Sequence, residues 1–265
     1  MTVLAPERPG SALVGEGPEE ARRLVPWEGR EAARLITGDA DVSAIGRFEA
    51  ALCYSRSADV ARALESVSAR VIVHDPAPSS EHAAAWLVRP LSALGIPVVA
   101  PASLTGTDEE RDVTHALRER LPPRFLAVHP GSGSARKNWP AERFADLAAR
   151  LSNGAPWLLS LGPADEREAA ALQGAPGAVI TRDLVPRHLG ALLAAAGLYV
   201  GNDSGVTHLA AAYGVPTLAL FGPTDPAVWS PIGTRVRTLR ALNGDLLLLE
   251  VDEVQHAANA LLAID

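Results

Sequence analysis

The chain has 265 residues, 48% of them hydrophobic and 21% charged, which suits a folded chain with a sizeable core and excludes a disordered polymer. Its formal net charge of −7 argues against a nucleic-acid partner, so any anionic ligand needs a local cluster of donors. A single cysteine, Cys53, excludes an internal disulfide and any cysteine-rich metal site.

No stretch reads as a membrane-spanning helix. The N-terminus carries Glu7 and Arg8 with no apolar run ahead of a cleavage site, so it is not read as a secretory signal and a cytoplasmic location is expected.

In chain order, short strands are expected at residues 3–4, 50–54 and 70–74, with a helix at 81–94. A polar stretch at 105–110 and a helix at 111–121 lead to a domain boundary near residue 120. Beyond it the alternation becomes regular. A strand at 125–128 runs into a Gly-rich loop, and Pro140 opens a helix whose Phe144, Leu147, Ala148 and Leu151 recur at helical spacing.

A strand at 157–161 ends at Gly162-Pro163, and Asp165 and Glu166 suit the N-terminus of a helix at 164–172. A strand at 178–180, a helix at 186–196 and a strand at 198–201 follow. Asp203-Ser204 starts the next helix, with Val206, Leu209, Ala210 and Tyr213 on its buried face. A strand at 216–221 closes in the turn 222–226. Strands alternating with helices imply α/β domains built on parallel sheets.

In such a sheet, ligands sit beyond the carboxyl ends of the strands. The first loop there spans residues 129–140. Its glycines allow close backbone approach, and Ser132, Ser134 and Lys137 can donate to phosphate oxygens. Lys137 is the single lysine among 24 basic residues. The loop lacks the third glycine of the dinucleotide fingerprint, and the chain has no P-loop string.

The second loop, 201–208, offers Asp203 as a cap, Gly205 at an open helix N-terminus, and Ser204 and His208 four residues apart on one face. The third comprises residues 162–166 and 222–226, where Glu166 can accept ribose hydroxyls. The bland alternatives are a mobile surface loop, a plain N-cap, a surface histidine and an acid that only stabilises its own helix.

The strings HPGSGSARKNWPAERFADLA, GPADERE and GNDSGVTHLAAAYGVPTLALFGPTDP, in this order, resemble glycosyltransferase family 9, the heptosyltransferases of lipopolysaccharide core synthesis. The resemblance covers the second half of the chain. It implies the α/β GT-B architecture, two Rossmann-like domains with parallel sheets: an acceptor-side domain at 1–120 and a nucleotide-sugar-binding domain at 121–265.

It further implies inverting transfer of a sugar, heptose foremost, from an ADP-heptose-like nucleotide-diphosphate sugar to a lipid-linked saccharide acceptor. Neither cofactor nor metal is expected, and the acceptor implies peripheral contact with the inner membrane. The family's phosphate-binding lysine falls on Lys137 and its nucleotide-contacting acid on Glu166. Its diphosphate and sugar loop falls on Asp203, Ser204, Gly205, Val206, Thr207 and His208. Ser132 and Gly133 stand where some members carry two threonines, so one hydroxyl donor is absent.

The first half matches less. Residues 2–5 look like the family's second strand and 48–57 like a later strand and turn. That places the first strand, and the Gly-Asp loop supplying the family's base, upstream of Met1, so the N-terminal domain is expected to be incomplete. Gly38-Asp39 is a short look-alike in a polar context, and no catalytic base is assigned. The alternatives are a nucleotide-sugar-binding protein without transferase activity and a GT-B epimerase acting through paired carboxylates.

Overall fold

The computed structural model describes residues 2–5, 23–26, 29–37, 45–78, 80–97 and 103–263. The chain divides into two compact units, Met1–Ala100 and Pro101–Asp265.

In the first unit, β1 (Thr2–Ala5) pairs in parallel with β2 (Arg23–Pro26), and α1 (Arg30–Thr37) follows. A second parallel pair joins β3 (Ala51–Cys53) to β4 (Val71–Val73). Parallel neighbours need a crossover, which α2 (Ala58–Glu65) supplies, and α3 (Ala83–Ser92) comes after β4. Leu35, Ile45, Ala63 and Val67 form the buried cluster.

The expected strands at 3–4, 50–54 and 70–74 correspond to β1, β3 and β4. β2, α1 and α2 have no counterpart among the expected elements. Each of the two helices is eight residues long with two buried positions, too few turns for a periodic pattern to stand out. Gly38 and Asp39 lie outside the described residues.

The second unit opens with α4 (Asp108–Arg118), which starts three residues before the expected helix. Thr107 caps it by accepting from Glu110 N at 3.2 Å, while the Glu110 carboxylate accepts from Thr107 N at 2.9 Å. This reciprocal capping box recruits the polar stretch into the first turn.

There follow β5 (Phe125–His129), α5 (Ala141–Ser152), β6 (Trp157–Leu161), α6 (Glu166–Ala171), β7 (Ala178–Arg182) and α7 (Pro186–Leu193). The remainder is β8 (Ala196–Asn202), α8 (Gly205–Ala212), β9 (Thr217–Phe221), α9 (Pro226–Trp229), β10 (Val236–Arg240) and α10 (Val251–Leu262). α9, β10 and α10 have no counterpart among the expected elements.

Glu110 also forms an ion pair with Arg187 of α7, which fastens α4 to the second unit. The boundary between compact units accordingly falls about twenty residues before the expected one.

Six strands form one parallel sheet in the order β10-β9-β8-β5-β6-β7. Alternate residues face opposite cores. Val128, Leu159 and Leu218 pack with Phe144 of α5 and Val254 of α10. Ala127, Leu158 and Tyr199 pack with Leu192 of α7 and Ala210 of α8. A sheet buried on both faces explains why its strands read as continuous apolar runs.

Candidate functional site

The chain enters this sheet at β5, steps outward to β7, then returns to β8 on the other side of β5 and steps outward again. The carboxyl ends of β5 and β8 thus form the switch point of the sheet, where folds of this kind have their ligand crevice. His129 and Gly201 are register partners at its floor.

Asn202 holds the two loops together. It is fully buried; its Nδ2 donates to Pro130 O at 2.7 Å and its Oδ1 accepts from Trp139 N at 3.0 Å. One side chain thus fixes both ends of the loop carrying Ser132, Ser134 and Lys137. Trp139 anchors the far end by burying its indole and donating Nε1 to Leu249 O at 2.8 Å.

The loop delivers Lys137 to Asp203. The ammonium donates to Asp203 O and to Asp203 Oδ2, both at 3.1 Å, and Thr224 Oγ1 donates to the same Oδ2 at 2.8 Å. Lysine has three N–H donors, so one remains for a ligand, and the side chain is 24% exposed. Asp203 does not cap α8 as expected. Its carboxylate turns to Lys137 and Thr224, and Ser204 occupies the N-cap, accepting from Thr207 N at 3.4 Å.

Within the segment 203–208, the residues separate by role. Thr207 is fully buried and donates its only hydroxyl proton to Asn202 O at 2.5 Å. Tyr199, 3.0 Å away, must then be the donor to Thr207 Oγ1. Burial raises the Tyr199 pKa above the usual phenol range, which keeps that proton in place. A Cβ at Gly201 would lie 2.4 Å from the Tyr199 hydroxyl, so glycine there is what lets the network close. Val206 packs against the core. Gly205 and His208 are exposed, at the end of α8 where the first amides of a helix point outward.

Beneath the β5 loop, Asp165 is buried and accepts from Gly162 N at 2.6 Å. Its Oδ1 would lie 1.8 Å from a Cβ at Gly131, so only glycine allows this approach. Neighbouring Glu166 stands exposed at the first residue of α6. Ser132 Oγ contacts Asn138 Oδ1 at 2.5 Å and Ser134 O at 2.9 Å, and Asn138 Nδ2 donates to Glu168 Oε1 at 2.7 Å.

His129 is also buried, donating Nδ1–H to Ser160 O at 2.9 Å, with Asp165 Oδ2 at 3.8 Å. Burial pushes its pKa below the ordinary imidazole value, against the opposing pull of Asp165 and the Ser160 carbonyl. The unfolded chain therefore binds the extra proton first. Stability is full above about pH 6.5 and falls as the pH drops below it, by at most about 1.4 kcal/mol per pH unit from this group. Urea midpoints of the native chain and a His129→Gln variant, compared from pH 7.5 to 5, should diverge in slope only below that value.

The structure brings Lys137, Asp203 and Ser204 to one crevice, with Thr224 added. Glu166, the first residue of α6, stands at the same end of the sheet. Asn202, Asn138, Asp165, Glu168 and Thr224 were not among the expected site residues. A polar Asn ending an apolar strand, and a Thr in a turn at a strand end, are the signals that point to Asn202 and Thr224. Among the described residues, no group of three or more His, Cys, Asp and Glu could hold a metal ion, and no helix is long and apolar enough to cross a membrane.

Lipopolysaccharide heptosyltransferase 1 of Pseudomonas aeruginosa is 37% identical over 112 residues, covering 41% of this chain and 32% of that protein. The chain thus spans about a third of that relative's length. A glycosyl transferase family 9 structure from Veillonella parvula shares the fold with a TM-score of 0.81, at 20% identity over 100% of this chain and 88% of that one. So does an E. coli heptosyltransferase with ADP-2-deoxy-2-fluoro heptose, with a TM-score of 0.63 at 17% identity over 98% and 99% of the two chains. The α/β fold with parallel sheets is of the GT-B type. The model of glycosyltransferase family 9 (heptosyltransferase) matches residues 57–247, and the chain belongs to that family.

Proposed function

We propose that this chain is a glycosyltransferase that moves a sugar, heptose foremost, from an ADP-heptose-like donor to a lipopolysaccharide-core-type acceptor with inversion. The observation that carries the reading is the contact of Lys137 with Asp203 at the switch point of the sheet, which sets a cation beside the open N-terminus of α8. The E. coli heptosyltransferase of the same fold holds ADP-2-deoxy-2-fluoro heptose, a donor of this class.

In the reaction, an acceptor hydroxyl oxygen attacks the anomeric carbon as the bond to the diphosphate oxygen breaks. Negative charge grows on the leaving diphosphate. Lys137 and the first amides of α8 are placed to stabilise it, and their orientation before reaction makes such stabilisation effective. Gly205 keeps that helix end uncovered. Glu166 is the proposed partner of the ribose hydroxyls, and Ser134 and His208 are proposed contacts to the donor. The hydroxyl proton passes to a base that is not assigned. A lipid-linked acceptor brings the protein into peripheral contact with the inner membrane, from the cytoplasmic side.

The test is release of ADP from ADP-heptose in the presence of a heptose-deficient lipopolysaccharide core. Acceptor-dependent ADP release, with a product of inverted anomeric configuration, is expected. ADP binding without transfer would support a binding protein instead, and donor turnover without acceptor would favour an epimerase.

A further inference from the structure

We propose that Glu168 limits the affinity for the donor diphosphate by fixing the direction of the Ser132 hydroxyl proton, acting through Asn138. The effect on binding rests on the reading of residues 130–140 as the phosphate loop; the relay itself does not.

The direction of each proton follows from which atoms can only accept. Glu168 is buried on α6, and an ionised carboxylate has no proton to give. Asn138 must therefore present its nitrogen to Glu168 Oε1, as it does at 2.7 Å. That leaves Asn138 Oδ1 facing Ser132 Oγ at 2.5 Å. A carbonyl oxygen also only accepts, so Ser132 must donate. Its second inward neighbour, Ser134 O at 2.9 Å, is again an acceptor, and Ser134 N donates to Ser132 Oγ at 3.2 Å. The single hydroxyl proton of Ser132 is thus committed inside the loop. What remains for a phosphate oxygen is lone-pair density, which repels it. Ser132 sits on the loop expected to bind phosphate, yet in this arrangement it contributes no donor.

Glutamine at position 168 removes the constraint. Its amide nitrogen can donate to Asn138 Oδ1, which lets the Asn138 amide turn over and present Nδ2 to Ser132 Oγ. Ser132 then accepts from Asn138, and its proton, held now only by Ser134 O, can turn to a phosphate oxygen, the stronger acceptor. Asn138 and Glu168 line a cavity of about 520 Å³, so this near-isosteric exchange does not have to be absorbed by the close-packed core.

The experiment measures ADP affinity by calorimetry for the native chain, Ser132→Ala, Glu168→Gln and the double variant. One added charge-assisted hydrogen bond is worth about tenfold in affinity. Expected results are a change of less than about twofold for S132A alone, about tenfold tighter binding for E168Q, and loss of that gain in the double variant. A Ser132→Ala effect of equal size in both backgrounds would overturn the proposal.

The relay is also tested without ligand. The side-chain amide protons of Asn138, identified by their absence in Asn138→Ser, should include one displaced downfield by the carboxylate, and E168Q should abolish that displacement. An unmoved pair of signals overturns the relay. If the native chain fails to bind ADP, the donor-site reading fails, while the Asn138 signals still decide whether Glu168 directs Ser132.

Discussion

Replacing Lys137 by alanine is expected to weaken ADP binding by about 10- to 150-fold. A charge-assisted hydrogen bond to an anion is worth about 1.5 to 3 kcal/mol, which sets this range. The upper part is favoured because the substitution does more than delete a cation. It leaves the Asp203 carboxylate, whose side chain is only 9% exposed, with the Thr224 hydroxyl as the donor that remains among the described residues and with a like charge arriving beside it. Arginine should not restore affinity. Lys137 bonds a carbonyl and a carboxylate of one residue from a single nitrogen, a geometry that a planar guanidinium fork does not reproduce. Calorimetric titration of the three proteins with ADP checks both statements.

Replacing Asn202 by alanine is expected to destabilise the second unit by about 2 to 6 kcal/mol, measured as a shift in urea denaturation. The basis is two orphaned buried groups. Pro130 O loses its donor and Trp139 N its acceptor, and each unsatisfied buried group costs about 1 to 3 kcal/mol. Because these groups hold the two ends of one loop, the variant should also lose donor affinity. Asn202→Asp separates the contributions: it keeps an acceptor for Trp139 N while setting a carboxylate against Pro130 O, so it too should destabilise. A loss below about 1 kcal/mol for Asn202→Ala would mean that the loop is held by other contacts.

Much of the second unit was legible in the sequence because a parallel sheet covered on both faces imposes long apolar strands. Strands β5, β6, β8 and β9 and the helices between them announce themselves in this way. The first unit was legible in part. β1, β3 and β4 have counterparts among the expected strands, but α1 and α2 bury two residues apiece, so the helical period has no room to repeat there. α4 starts earlier than its apolar pattern suggests because Thr107 and Glu110, polar residues typical of a loop, form the capping box of its first turn.

In the candidate site, chemistry that lives in one side chain was readable: Lys137 stood out as the sole lysine, in a Gly-rich loop. Chemistry that lives in a contact was not. Asn202 meets Pro130 and Trp139 across 72 and 63 residues of chain, and nothing local in the sequence pairs them. The same holds for Asn138 and Glu168, which meet across 30 residues. Thr207 shows the converse: its hydroxyl, in the string expected to meet the donor, is turned inward, donating to Asn202 O and accepting from Tyr199.

The central claim, that the crevice at the β5/β8 switch point holds a nucleoside diphosphate against Lys137, has a direct test in the composition of the chain. Biosynthetic labelling with lysine carrying ¹³C at Cε reports on the amine without altering its charge or its three N–H donors. With one lysine in the sequence, it gives a single Cε resonance, which the Lys137→Ala variant loses. Addition of ADP should shift the lysine resonance in a saturable manner, and adenosine at the same concentrations should leave it in place. A lysine resonance unmoved at saturating ADP would contradict the account.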